Sequence, residues 1–115
     1  MGKLKWVQLK EHRGGVYSGQ MNASFQQHGK GSAITKVGAI LEGYFNTDKF
    51  VYGRKTHTEG NGITEGPFND ANAHGWCIQT LANGNRKEGH LENGNREGAF
   101  TIFYPNGNRE LVNYN

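Results

Sequence analysis

The sequence predicts an all-β fold: a single elongated, twisted antiparallel meander of stacked β-hairpins with no significant helix. Three observations predict it. Glycine supplies 18 of the 115 residues, and the glycines recur in columns with a 23-residue period. The segments between them are short, rich in β-branched and aromatic residues, and alternate in character as strands do. The tetrapeptide Asn-Gly-Asn-Arg occurs three times, from 83, 93 and 106, and Asn-Gly between two such segments is a strong hairpin signal.

Taken in order, residues 3–16 read as the second half of a unit, because Trp6 stands eight before Gly14 as Trp76 stands eight before Gly84. The unit 17–40 opens on Ser18-Gly19 ahead of Met21. Glu-Gly pairs at 42–43, 65–66 and 88–89 open the units 41–63, 64–86 and 87–109, each with an apolar side chain two beyond the glycine: Phe45, Phe68, Leu91. Residues 110–115 begin another unit. A second column holds Gly29, Gly75 and Gly98, with Gly53 one position late, so an insertion is expected between about 46 and 53. The unit around 62–66 is one residue short and cancels it. A third column, Gly14, Gly38, Gly62, Gly84 and Gly107, marks turns. Equivalent glycines are expected where the backbone reverses. The Asn-Gly copies are expected to form type I′ turns, with φ > 0 at both central residues. In AFTIFY, Phe100, Ile102 and Tyr104 share one face; in WCIQTL, Trp76 and Ile78 lie opposite Cys77 and Leu81. The chain then forms roughly nine or ten short strands, and stacking of neighbouring hairpins makes the core continuous.

Composition narrows the class. Low hydrophobic content with a net charge of only +3 argues against a disordered chain and for a thin core with many tight turns. One cysteine, Cys77, excludes an internal disulfide framework and fits a reducing, cytoplasmic setting. No segment approaches the ~18–20 apolar residues of a membrane-spanning helix, and the N-terminus shows no apolar signal core. Trp6 stands where a myristoylation mark on Gly2 needs Ser or Thr.

The columns resemble the MORN repeat. KEGHLENGNREGAFTIFYPNGN (87–108) is the fullest copy, YSGQMNASFQQHGKGSAI (17–34) keeps the leading Tyr17, Gly19 and His28-Gly29-Lys30-Gly31, and LEGYFNTDKFVYG and TEGPFNDANAHGWC are more divergent. The resemblance covers about 17–109. Leu41, Thr64 and Lys87 stand where the leading Tyr would recur. The resemblance implies one repeat domain over 1–115 and a binding or scaffolding role, with protein assembly and association with anionic phospholipid as the family's themes.

No constellation of catalytic type emerges. His12, His28, His57, His74 and His90 are scattered. Repeat-equivalent histidines would stand two strand pairs apart, ~20 Å at about 4.8 Å per strand, too far to share a metal. Cys77 lies inside a strand and is expected to pack. His28-Gly29-Lys30-Gly31-Ser32 lacks the spacing of a phosphate-binding loop, and no helix follows it. No catalytic residue, metal site or cofactor is therefore expected. Two surfaces remain as candidates. One is an aromatic groove built from Tyr17, Tyr44, Phe45, Phe68, Trp76, Phe100 and Tyr104. The other is a basic edge at the turns, Arg86, Lys87, Arg96 and Arg109, suited to anions.

The expected function is a non-catalytic module for protein–protein contact or self-association, through a β-sheet groove and open sheet edges. Peripheral binding to anionic phospholipid through the basic turns is the alternative, and a small enzyme with an unrecognised groove site ranks behind it. Nucleic acid is not an expected partner, because no dense basic stripe interleaves with stacking aromatics.

Overall fold

The computed structural model describes residues 5–12, 15–70 and 72–114, with side chains described from 15 onward. The expected turn at Gly14, the Gly2 mark and the Trp6 side chain lie outside the described residues. The described residues form eleven strands: β1 (Lys5–His12), β2 (Gly15–Met21), β3 (Gln27–Ile34), β4 (Ile40–Asn46), β5 (Lys49–Thr56), β6 (Ile63–Asn69), β7 (Asn72–Ala73), β8 (Gly75–Thr80), β9 (Arg86–Glu92), β10 (Asn95–Phe103) and β11 (Arg109–Tyr114). Ten of them follow one another in a single antiparallel sheet, β1-β2-β3-β4-β5-β6-β8-β9-β10-β11, with the two-residue β7 pairing β6 beside this path. The sheet is open, with β1 and β11 at its two ends, and the molecule measures 48 × 27 × 21 Å. One 3₁₀ turn, Thr58–Gly60, interrupts the pattern between β5 and β6, and no α-helix occurs among the described residues.

Each glycine column has its own structural task. Gly19, Gly31, Gly43, Gly53 and Gly66 stand mid-strand and are register partners in a row across β2 to β6. This corrects the expectation that the Glu-Gly glycines mark reversals. They are needed because the strands approach too closely for a side chain: a Cβ on Gly43 would lie 2.2 Å from the Tyr52 carbonyl oxygen, and Gly43 and Gly53 hold φ of +151° and +145°. The second column marks breaks in the ladder. Gly29 and Gly98 sit where the register shifts in β3 and β10, and Gly75 opens β8 after the short β7. The predicted insertion is a bulge at Val51, between the pairs Tyr44↔Tyr52 and Phe45↔Phe50.

The third column does mark turns, but two kinds alternate. At 81–85 the Leu81 N–H donates to the Asn85 carbonyl (2.8 Å), the Gly84 N–H donates to the Leu81 carbonyl (2.9 Å), and only Gly84 takes positive φ, +90°. Residues 104–108 repeat this about Gly107. In both, the first Asn side chain accepts the N–H of the second, Asn83 from Asn85 and Asn106 from Asn108, at 2.9 Å. These are three-residue loops with a glycine in the left-handed region, not the expected type I′ turns. Pro105 suits that geometry, since its ring presets the first turn residue. The copy at 93–94 is the expected two-residue turn: Asn93 and Gly94 hold φ of +49° and +88°, and Glu92 pairs with Asn95. Thr47 and Asp48 form the equivalent turn without glycine.

The core lies on one face of the sheet. Tyr17, Phe45, Phe50 and Phe68 make a chain of rings with centroids 5.2, 5.1 and 4.8 Å apart, joined by Met21, Leu41, Ala73 and Cys77. Leu91 and Phe100 continue it, and Phe100 meets Tyr114 edge-on at 5.2 Å. The Tyr17 ring covers Gly31, and its hydroxyl donates to the Gln20 carbonyl at 2.5 Å. Burial, with Asp48 nearby, pushes that phenol up to about 12.

Candidate functional site

Along the ring chain from Tyr17 to Phe68 the inner face is spent on packing, so there the outer face carries the open surface. Alternation along β3 to β6 sets two outward rows on either side of the glycine row. One runs Ser32, Glu42, Arg54, Glu65 and the other Lys30, Tyr44, Tyr52, Pro67. The residues on either side of each glycine point outward while the glycine position itself faces the core, so the two rows form the walls of a groove whose floor is the backbone of the glycine row. Its volume is 580 Å³. Tyr44 and Tyr52 are register partners and form the aromatic wall; Tyr52 is 56% exposed. On the other wall Arg54 approaches Glu65 at 3.7 Å. Trp76 projects from the same face of β8 and is 62% exposed.

The seven aromatic residues proposed from the sequence therefore divide. Tyr17, Phe45, Phe68 and Phe100 are buried in the core and offer no surface. Tyr44 and Trp76 lie on the outer face. Tyr104 sits at the turn before β11, where its hydroxyl donates to Glu110, an interaction that raises the tyrosine pKa. Tyr52, Lys30, Glu42, Arg54 and Glu65 were not anticipated. Tyr52 had a signal: once the one-residue insertion after 46 is placed before it, Tyr52 falls opposite Tyr44.

The basic residues divide as well. Arg86 pairs with Glu88 at 2.9 Å and lies 4.5 Å from the centroid of the Phe103 ring. Arg109 borders a shallow recess with Thr101, Phe103 and Leu111. Lys87 and Arg96 instead converge on Tyr114 at the inner face. The four do not form one edge.

Two histidines, His28 and His74, tie neighbouring units together. His28 Nδ1 accepts the N–H of Thr47 (3.1 Å), and His74 Nδ1 accepts the N–H of Asn93 (3.2 Å). The next N–H in each turn goes to the preceding unit too, Asp48 to the Gln27 carbonyl (2.9 Å) and Gly94 to the Ala73 carbonyl (2.8 Å). The same clamp thus recurs after 46 residues. Cys77 is buried, with Sγ 3.7 Å from the Pro67 carbonyl oxygen, and burial raises its thiol pKa. Among the described residues no group of three His, Cys, Asp or Glu side chains could hold a metal, and no helix is long and apolar enough to cross a membrane.

Comparison of the chain with protein-family models and with curated proteins returns no match.

Proposed function

We propose that this chain is a divergent MORN array that serves as a non-catalytic binding module, docking a protein partner or a second copy of itself in a reducing, cytoplasmic setting. One observation carries the reading: Tyr44 and Tyr52 stand exposed in a glycine-floored groove on the outer face, with Trp76 exposed on the same face of β8, although the inner face already supplies the core. Exposed aromatic side chains of this kind commonly mark partner sites. Two further features agree with it. Among the described residues β1 and β11 each pair with one neighbour, which leaves backbone groups to accept another strand. The three-column glycine pattern and its hairpins agree with the MORN resemblance.

The test is a double variant, Tyr52→Ser with Trp76→Ser. Used as bait it should lose the proteins that the wild-type chain captures while keeping the wild-type unfolding midpoint. Light scattering over a dilution series should show mass above the monomer at high concentration if the partner is a second copy. Identical capture by both baits, with a monomer at every concentration, contradicts the proposal.

A further inference from the structure

The inner face changes character along the sheet: aromatic over β2 to β6, it turns polar next to the 3₁₀ turn. Thr64, 2% exposed, lies at the centre of this polar part. Gln79 Nε2 donates to Thr64 Oγ1 at 3.3 Å, and His57 Nε2 lies 2.8 Å from the same oxygen. Besides the lone pair that accepts from Gln79, Oγ1 keeps a proton and a second lone pair, so it bonds His57 Nε2 as donor or as acceptor according to the imidazole tautomer. Burial and the nearby Lys55 charge lower the His57 pKa, which favours the neutral ring. Gln79 is held from its other end, because Arg96 Nε donates to Gln79 Oε1 at 2.8 Å.

Arg96 is the unusual member. Its guanidinium lies 5.5 Å from the Tyr114 ring centroid, and Lys87 Nζ lies 5.3 Å from the same ring while donating to the Tyr114 hydroxyl at 2.7 Å. Two cations share one ring, and neither has a carboxylate partner among the described residues. With Nε committed to Gln79, the Nη groups of Arg96 keep their donors. Beside them is a recess of 180 Å³ whose polar lining is His57, Asn61, Thr64, Gln79, Thr80 and Arg96.

We propose that this recess binds a carboxylate, supplied by a small organic acid or by an acidic group of a protein. Three features select that chemistry. The Nη groups of a guanidinium present donors in the plane that a carboxylate's two oxygens match. With His57 neutral, Arg96 is the one formal charge in the lining, which suits a monoanion, and Lys55 and Lys87 stand outside it. The amides of Asn61 and Gln79 and the hydroxyl of Thr80 supply neutral partners for the rest of the ligand. The proposal does not depend on the outer-face reading.

The test is a nitrogen-15 NMR titration of the full chain with sodium acetate, alongside sodium chloride and sodium phosphate at matched ionic strength. Acetate should move the Arg96 Nε–H and Gln79 side-chain amide signals saturably. Arg96→Lys should weaken acetate by about tenfold or more, as loss of a charge-assisted pair implies. A short peptide with a free C-terminus separates the sources: binding well above acetate assigns the site to a protein carboxylate, and equal binding assigns it to a small acid. Signals that move alike with chloride, that saturate first with phosphate, or that keep the acetate affinity in a folded Arg96→Lys variant overturn the proposal. The chloride and phosphate arms decide the question on the wild-type chain should that variant fail to fold.

Discussion

Phe50 and Tyr52 stand two apart on β5, where strict alternation would put both side chains on one face. They lie on opposite faces. Phe50 is fully buried between Phe45 and Phe68, and Tyr52 forms a wall of the outer groove. The bulge at Val51 separates them, since one extra residue reverses the parity of everything beyond it. The difference teaches how one layer of sheet serves two purposes. The inner face supplies cohesion, and the glycine row lets strands close up behind it. The outer face, released from packing, keeps aromatic side chains in water.

The largest expected effect breaks the pair directly. Phe50→Ala should cost about 3–5 kcal/mol, because the vacated volume is walled by rings that relax only partly. Tyr52→Ala should stay within about 0.5 kcal/mol, as an exposed position does. Urea denaturation of both variants measures the contrast, and similar losses would mean that the faces are not divided as described. The next effect tests the layer between the faces. Gly53→Ala forces a side chain to φ +145° with its Cβ 2.2 Å from the Glu42 carbonyl oxygen. A loss of at least about 1–3 kcal/mol is expected. Gly60→Ala also has positive φ but meets nothing within 4 Å, and should cost less. Equal costs would remove the close approach as the reason for the row.

The smallest effect concerns pH. His57 has a lowered pKa in the folded chain, from burial first and then from Lys55. The unfolded chain therefore takes up the proton more readily. The contribution of His57 is fully present above the ordinary histidine value, about 6.5, and is lost as pH falls through the lower folded value. The stability of the wild-type chain should fall more steeply below neutrality than that of His57→Gln. Parallel curves would show that His57 is not held neutral.

The fold was largely legible because glycine spacing reports backbone geometry directly. Gly38, Gly84 and Gly107 do stand at turns, and the late Gly53 announced the bulge. What the spacing does not show is which task each column performs, since mid-strand glycines such as Gly43 and Gly66 recur with the same period as those at turns. The faces were harder still. Tyr44 and Phe45 are adjacent, and only the register of β5 shows which goes inward. The one-residue bulge at Val51 reverses the parity of alternation beyond it, whereas the irregularities near Gly29 and Gly98 each add two residues to one strand and keep it. The network of His57, Thr64, Gln79 and Arg96 left no local trace. Its members are 7, 15 and 17 residues apart along their hydrogen bonds, and only the stacked hairpins bring them together. Asn-Gly-Asn likewise read as one turn, although the position of the pairing residues on either side decides between two.

The account rests on the row of glycines that are partners across five neighbouring strands, and Hα–Hα NOE contacts test it most directly. Strong contacts between Gly43 and Gly53, with Gly31 and Gly66 showing the corresponding contacts to their own register partners, are the predicted result. Spectra in which Gly43 and Gly53 show only sequential contacts, as isolated turn residues would, contradict it.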